Sequence, residues 1–216
     1  TGTPDLWGVA AVNLGVVGLK CGEYDRARDL FGEALALFAG VKNSEFQLYA
    51  LYNLAHLERE RGDHESGSEL YEVAVSLAQR IGQVHIEAGA LGGRGLCLLK
   101  LGRTAEAAEA LQAIEARITD PEDWFQGREL IEVLAIRVAV AAGQVDEAVA
   151  RFQRSVAAAE GLDLYIGAWL TAECAPLLGR YAPAVVARGV AHYAALVGPL
   201  GYDVMTSRYA ELAAAS

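Results

Sequence analysis

The chain has 216 residues, of which 53% are hydrophobic, and a formal net charge of −10. That acidity excludes a direct nucleic-acid reader, because phosphate neutralisation needs a basic face, and the lysines are only Lys20, Lys42 and Lys100. No apolar run reaches the roughly 18–20 residues that cross a bilayer. The longest candidate, 133–143, is broken by Arg137. Three widely spaced cysteines suit a reducing compartment without structural disulfides, and the N-terminus lacks a basic region followed by an apolar run. A cytoplasmic place is expected, and a start at Thr rather than Met suits a segment of a longer polypeptide.

Helix start and stop signals divide the chain into pairs. Thr3-Pro4-Asp5 supplies a hydroxyl cap, a proline for the first turn and an acid at the positive end of the dipole, opening a helix that Gly22 stops. Its partner runs from about Asp25 to Ala39, with Ala27, Phe31, Ala34 and Leu35 on one stripe. After the turn Gly40-Val41-Lys42-Asn43, Ser44 is expected to cap a second pair over about 45–61 and 64–81. The third pair covers about 84–100 and 105–118, with Thr104 as cap. Asp120-Pro121-Glu122-Asp123 repeats the opening signature and predicts a helix over 121–142, with its mate at about 145–160. A weaker fifth pair, about 163–178 and 181–197, breaks at Gly179, and a terminal helix covers about 203–214. Long alternating patterns and hairpin dipeptides are missing, so the class is all-α.

Gly22, Gly62, Gly102 and Gly143 lie 40, 40 and 41 residues apart. Each is followed by a small residue five positions later and a large apolar residue nine later. A repeat of this length signals a stacked array in which neighbouring units bury each other's apolar faces. The glycine suits the left-handed conformation that ends a helix, and small residues at Gly15, Ala55 and Gly95 let paired helices approach closely.

These residues resemble the tetratricopeptide repeat. Leu51-Tyr52-Asn53-Leu54-Ala55 through Gly62, then Gly67, Tyr71 and Ala74, is similar to the family pattern, as are Ala11, Leu14, Gly15, Gly22, Ala27, Phe31 and Ala34. Repeat three (Leu91, Gly95, Gly102, Ala107, Leu111) carries Arg94 where a leucine is expected, repeat four keeps Ala135, Gly143, Ala148 and Phe152, and the fifth carries Arg188 where an aromatic belongs. The resemblance implies a right-handed α-solenoid of antiparallel helix pairs over residues 1–216, with repeats at about 4–40, 44–81, 84–118, 121–160 and 163–197 and a capping helix at 203–214. A period near 40 rather than 34 is similar to the repeat regions of large bacterial regulators.

The family lines its concave groove with the first helix of each pair. Carried over position by position, the groove residues are Asn13, Tyr49, Tyr52, Asn53, His56, Arg59, Gly92, Gly93, Arg137 and Trp169. Asn13 and Asn53 sit where the family often places an asparagine that bonds a bound peptide's backbone. With few cations along this line, an apolar or aromatic segment is the better occupant than an acidic tail. The resemblance therefore implies a non-catalytic scaffold for a protein or peptide, with no cofactor or metal. The alternative is an effector-sensing or intramolecular coupling domain of a larger transcriptional or signalling regulator.

Residues with chemical potential read as structural. Cys97 and Cys174 occupy equivalent inward positions and Cys21 a helix end, so the thiols are buried small hydrophobes. The histidines 56, 64, 85 and 192 show no i, i+4 pairing that would hold a metal. Glu58, Glu60 and Asp63, alternating with Arg59 and Arg61, read as a solvated helix face. Gly92-Gly93-Arg94-Gly95 lacks the strand and the Gly-Lys-Ser/Thr of a phosphate loop. With Gly89 it forms a costly run inside a helix, explained either by crowding from bulky side chains such as Tyr49 and Tyr52 or by a widened groove.

Overall fold

The computed structural model describes residues 3–118, 120 and 125–214. Among these the chain forms eleven α-helices: α1 Thr3–Cys21, α2 Tyr24–Gly40, α3 Ser44–Arg61, α4 His64–Ile81, α5 Val84–Lys100, α6 Thr104–Glu115, α7 Arg128–Ala141, α8 Val145–Glu160, α9 Leu164–Leu178, α10 Pro183–Val197 and α11 Asp203–Ala214. A single 3-10 turn, Gly198–Leu200, precedes the last. The four repeat glycines end or follow their helices at φ +80°, +86°, +76° and +77°, a conformation an L side chain rarely adopts. Gly82, at +76°, ends α4 in the same way and closes a pair rather than opening its turn.

Caps differ in detail from the sequence reading. The side chain of Asn43, not Ser44, accepts from the Phe46 N–H at 3.2 Å, so Ser44 is the first helical residue. Thr104 likewise lies inside α6, which begins after Arg103 without a side-chain cap and ends at Glu115 rather than 118. The predicted opening of α7 at Pro121-Glu122-Asp123 lies outside the described residues; α7 itself begins at Arg128, after Gly127 at φ +93°.

Two compact units divide the chain, residues 1–131 and 132–216. In the first, each helix from α1 to α6 packs on the next, and the first helices α1, α3 and α5 also touch in sequence. Large side chains of one helix close over small residues of another. A Cβ built on Gly15 would lie 2.5 Å from the Phe31 ring, and one on Gly8 2.5 Å from Phe38. Such positions admit only glycine without a shift of the ring. Phe31, Ala27, Leu19 and Leu57 form one core layer spanning α1, α2 and α3; Phe38, Ala34, Ala11 and Ala50 form another.

The second unit repeats the device. A Cβ on Gly167 would meet the Tyr193 ring at 2.6 Å, and Gly189 packs on Thr171. Tyr193 is therefore the aromatic that closes the α9–α10 pair, while Arg188, at the expected place, is exposed. On α11, Met205 and Tyr209 are buried, and the Tyr209 hydroxyl donates to the Ala168 carbonyl at 2.9 Å, fastening α11 to α9. Val204 and Leu212 flank them half-buried, while Ala213 is exposed.

Candidate partner-binding face

The charged stretch at the end of α3 is solvated only in part: Arg61 and Asp63 are exposed, but Glu58 and Arg59 are buried. Glu58 is 2% exposed; its Oε1 accepts from Arg28 Nε of α2 at 2.8 Å, and Arg28 Nη2 stands 2.7 Å from Oε2 as an ion pair. Arg59 is also buried and donates to Glu60 at 2.6 Å. The pattern recurs on other first helices. Buried Glu87 of α5 accepts from Gln79 at 2.8 Å and from Arg117, and in the second unit buried Glu132 of α7 accepts from Arg151 at 2.7 Å and Ser155 at 2.9 Å. Enclosed carboxylates need such partners, so each ties its helix to a neighbour. The burial of these acids escapes a reading of sequence, because a single glutamate in a helix looks solvated until the element that carries its arginine is placed.

Burial also divides the residues carried over from the repeat register. Asn13 on α1 is exposed, and Tyr49, Asn53 and His56 on α3 are half-buried. The Asn53 amide donates to the Tyr49 carbonyl one turn back at 2.8 Å, which leaves the side-chain oxygen as an acceptor. His56 Nε2 stands 3.4 Å from Arg59 Nη2 and 3.8 Å from the Glu60 carboxylate. Tyr49, Asn53, His56 and Glu60 follow one another at helical spacing, and their equivalents on α1, forty residues earlier, are Val9, Asn13, Val16 and Lys20. All eight are at least partly accessible, and the two helices are neighbours.

Tyr52 turns inward. It is 4% exposed, packs edge-on against Tyr71 with centroids 5.9 Å apart, and burial, with the Glu129 carboxylate second, pushes its phenol well above the usual range. Gly92 and Gly93 present no groove surface. The place of a Gly93 side chain is filled by the Tyr71 ring, 2.2 Å from a built Cβ, and that of Gly92 by Ile131. Gly89 meets Gln126 and Gly127, and Phe125 stacks on His85 at 4.5 Å, so the chain's own segment from Phe125 to Ile131 lies against α5. The glycine run is thus a packing feature. Its partners are Tyr71, Tyr52 and this segment rather than Tyr49.

In the second unit Arg137 donates from Nη2 to the Glu173 carbonyl at 3.0 Å and to its carboxylate at 2.8 Å, and Glu173 also receives Arg208 at 3.0 Å. Trp169 is buried in that unit's core. The thiols of Cys97 and Cys174 are enclosed, and burial raises them to about 11 and about 12 despite nearby Arg59 and Arg137. No group of three or more potential metal ligands occurs among the described residues, and none of their helices is long and apolar enough to cross a membrane.

Helix pairs closed by aromatic-on-glycine contacts and ended by left-handed glycines define a helical-repeat scaffold, the α-solenoid class. The tetratricopeptide repeat family profile matches residues 8–80, about a third of the chain and the part where the repeats are most regular. Comparison with curated proteins gives no match. Among solved structures, nearly identical TPR-like repeats of a kinesin light chain-type protein from Podosopora anserina align over 99% of this chain and 98% of theirs, at 18% identity and a TM-score of 0.56. A Rap protein complexed with competence and sporulation factor aligns over 99% and 66%, at 14% identity and a TM-score of 0.69. BtubC from P. vanneervenii aligns over 94% and 78%, at 18% and 0.54. At these identities the likeness is one of fold, and neither the profile nor the structures point to a catalytic family.

Proposed function

We propose that the chain is a non-catalytic scaffold that binds a protein or peptide segment across the first-helix face of α1 and α3. The observation that carries this reading is the register-matched pair of accessible columns, Val9–Asn13–Val16 and Tyr49–Asn53–His56. Two asparagines at equivalent positions can each donate to and accept from an extended peptide backbone, while the valines and Tyr49 offer apolar contact. An apolar or aromatic segment suits this face, since Arg59 is already engaged by Glu60. Residues 1–216 are taken as one array within the proposal.

The test is selection of a random displayed peptide library on the full chain, followed by titration of the selected peptides. Asn13→Ala with Asn53→Ala should weaken binding about tenfold or more, the loss expected for two hydrogen bonds of about 0.5–1.5 kcal/mol each. Tyr52→Phe, altering a buried ring, should leave it unchanged. Selection of nothing, or peptides indifferent to both asparagines, would reject the face. A second reading, a coupling domain of a larger regulator, is favoured by one observation: an apolar side of α1 that stays exposed.

A further inference from the structure

A concavity of about 440 Å³ is walled by Glu65, Glu69 and Glu72 of α4, floored by Ser68 and Arg94, and edged by Arg103 just before α6. The three glutamates stand at i, i+4 and i+7 on one side of α4, a span of roughly 10 Å. Ser68 is 6% exposed, and its hydroxyl has no hydrogen-bond partner among the described residues. Arg94 is largely enclosed; it donates from Nη2 to Glu72 at 3.2 Å, while its Nε–H is buried without a partner. Buried donors left this way cost stability that an incoming acceptor restores. At the mouth, Glu65 and Glu69 are exposed and form no ion pair among the described residues. Arg103 is already held by both oxygens of Glu106, at 2.6 Å each.

The preceding repeat shows the same place satisfied from within. Forty residues earlier Asp25 stands for Glu65 and pairs with Arg61 at 2.8 Å, and Arg28 stands for Ser68 and donates to Glu58 at 2.8 Å. Leu54 holds the place of Arg94. In the later repeat Arg61 and Glu58 give way to Leu101 and Leu98. Both internal pairings are thereby removed, and a guanidinium enters below the carboxylates.

We propose that this concavity binds a free basic amino acid, arginine or lysine. The ligand's carboxylate accepts from Arg94 Nε and the Ser68 hydroxyl, and its two cationic groups face Glu65 and Glu69. With Glu72 and Arg103 already paired, two carboxylates remain for two cations, and the buried donors remain for one carboxylate. Leu101 gives the ligand's methylene groups an apolar wall. The volume falls within the roughly 300–1,000 Å³ of small-molecule sites. None of these residues belongs to the Asn13–Asn53 face, so the two readings stand or fall separately.

L-arginine and L-lysine are titrated separately into the full chain by isothermal calorimetry at low ionic strength, where charge pairing is least screened. Saturable one-to-one binding is expected for at least one of them. Glu65→Gln with Glu69→Gln should weaken it at least tenfold, as should Arg94→Leu, which installs the residue of the preceding repeat. An unchanged circular dichroism melt confirms folding, and should one variant fail to fold, the other carries the test. On the ligand side, argininamide lacks the carboxylate and citrulline the side-chain cation, and each should bind at least tenfold more weakly than arginine. Asn13→Ala with Asn53→Ala should leave arginine binding unchanged. Absence of saturable binding at millimolar concentration, or binding indifferent to these changes, overturns the proposal. Equal binding of an N-acetylated peptide ending in arginine also overturns it, by assigning the site to the end of a partner chain.

Discussion

Gly93→Ala adds one methyl group at a point where the Tyr71 ring already stands 2.2 Å from the new carbon. An ordinary carbon–carbon contact is about 3.5–4.0 Å, so ring and helix must part by more than about 1 Å. Tyr71 is fully buried and braced by Tyr52, which leaves the ring no solvent to move into. Overpacking of this kind costs about 1–3 kcal/mol, with this site near the upper end, while alanine regains about 1 kcal/mol of helix propensity over glycine. The net expectation is a loss of about 2 kcal/mol. Gly32, in the middle of α2 with open space around it, is the matched control, and the same substitution there should stabilise by about 0.5–1 kcal/mol. Urea unfolding followed by far-ultraviolet circular dichroism measures both. Shortening the ring by Tyr71→Leu should make Gly93→Ala less costly than in the native background, giving a coupling between the two sites. Opposite signs at Gly93 and Gly32 are the signature. A Gly93→Ala protein as stable as the native one, or no coupling to residue 71, would refute the crowding argument.

Other consequences are equally open to measurement. Arg28→Ala leaves the buried Glu58 carboxylate without its partner and should cost about 1–2 kcal/mol, a value reduced from that of a fully enclosed pair because Arg28 is itself half exposed; Arg26→Ala, removing an exposed pair with Glu23, should change the same unfolding midpoint little. Thiol titration at pH 8 should find only half-buried Cys21 reacting quickly in the native protein and all three cysteines in guanidinium, since thiols raised to about 11 and about 12 stay protonated there; rapid labelling of Cys97 or Cys174 would contradict their enclosure. Tyr209→Phe removes the bond to Ala168 and should destabilise by about 1 kcal/mol, and deleting residues 200–216 should lower the melting temperature further and promote association through the uncovered α9 and α10; a truncated protein with native melting and oligomeric state would show that α11 contributes nothing.

The helices were legible because their signals are local. A left-handed glycine, a cap and a 3.6-residue stripe each act within one or two turns, and Gly22, Gly62, Gly102 and Gly143 adopt the conformation their position implies. The described part of α7 starts at Arg128, after a stretch that lies against α5 through Phe125 and Gly127, a contact that no local signal encodes. Burial of the candidate site was harder still. Tyr52 and Arg59 sit at positions that the family register assigns to a groove, yet Tyr52 meets Gly89 and Gly127, and Arg59 lies beside Gly67 and Cys97. For Tyr52, glycines on the facing elements make the room. The sequence displays those glycines plainly, but it does not say which large side chain each one receives.

Repetition of sequence does not entail repetition of environment, and this is where functional surface arises in such a chain. Val17, Leu57 and Cys97 occupy one repeat position with comparable side-chain character, yet two are fully buried and one is more than half exposed. Leu57 is covered by Phe31 and Ala27 of α2 and Cys97 lies against Gly67 of α4, because in a stacked array each unit's burial is set by its nearest neighbours. Asn13 and Asn53 are likewise accessible, whereas Gly93, forty residues on at the same repeat position, is covered by the Tyr71 ring of α4.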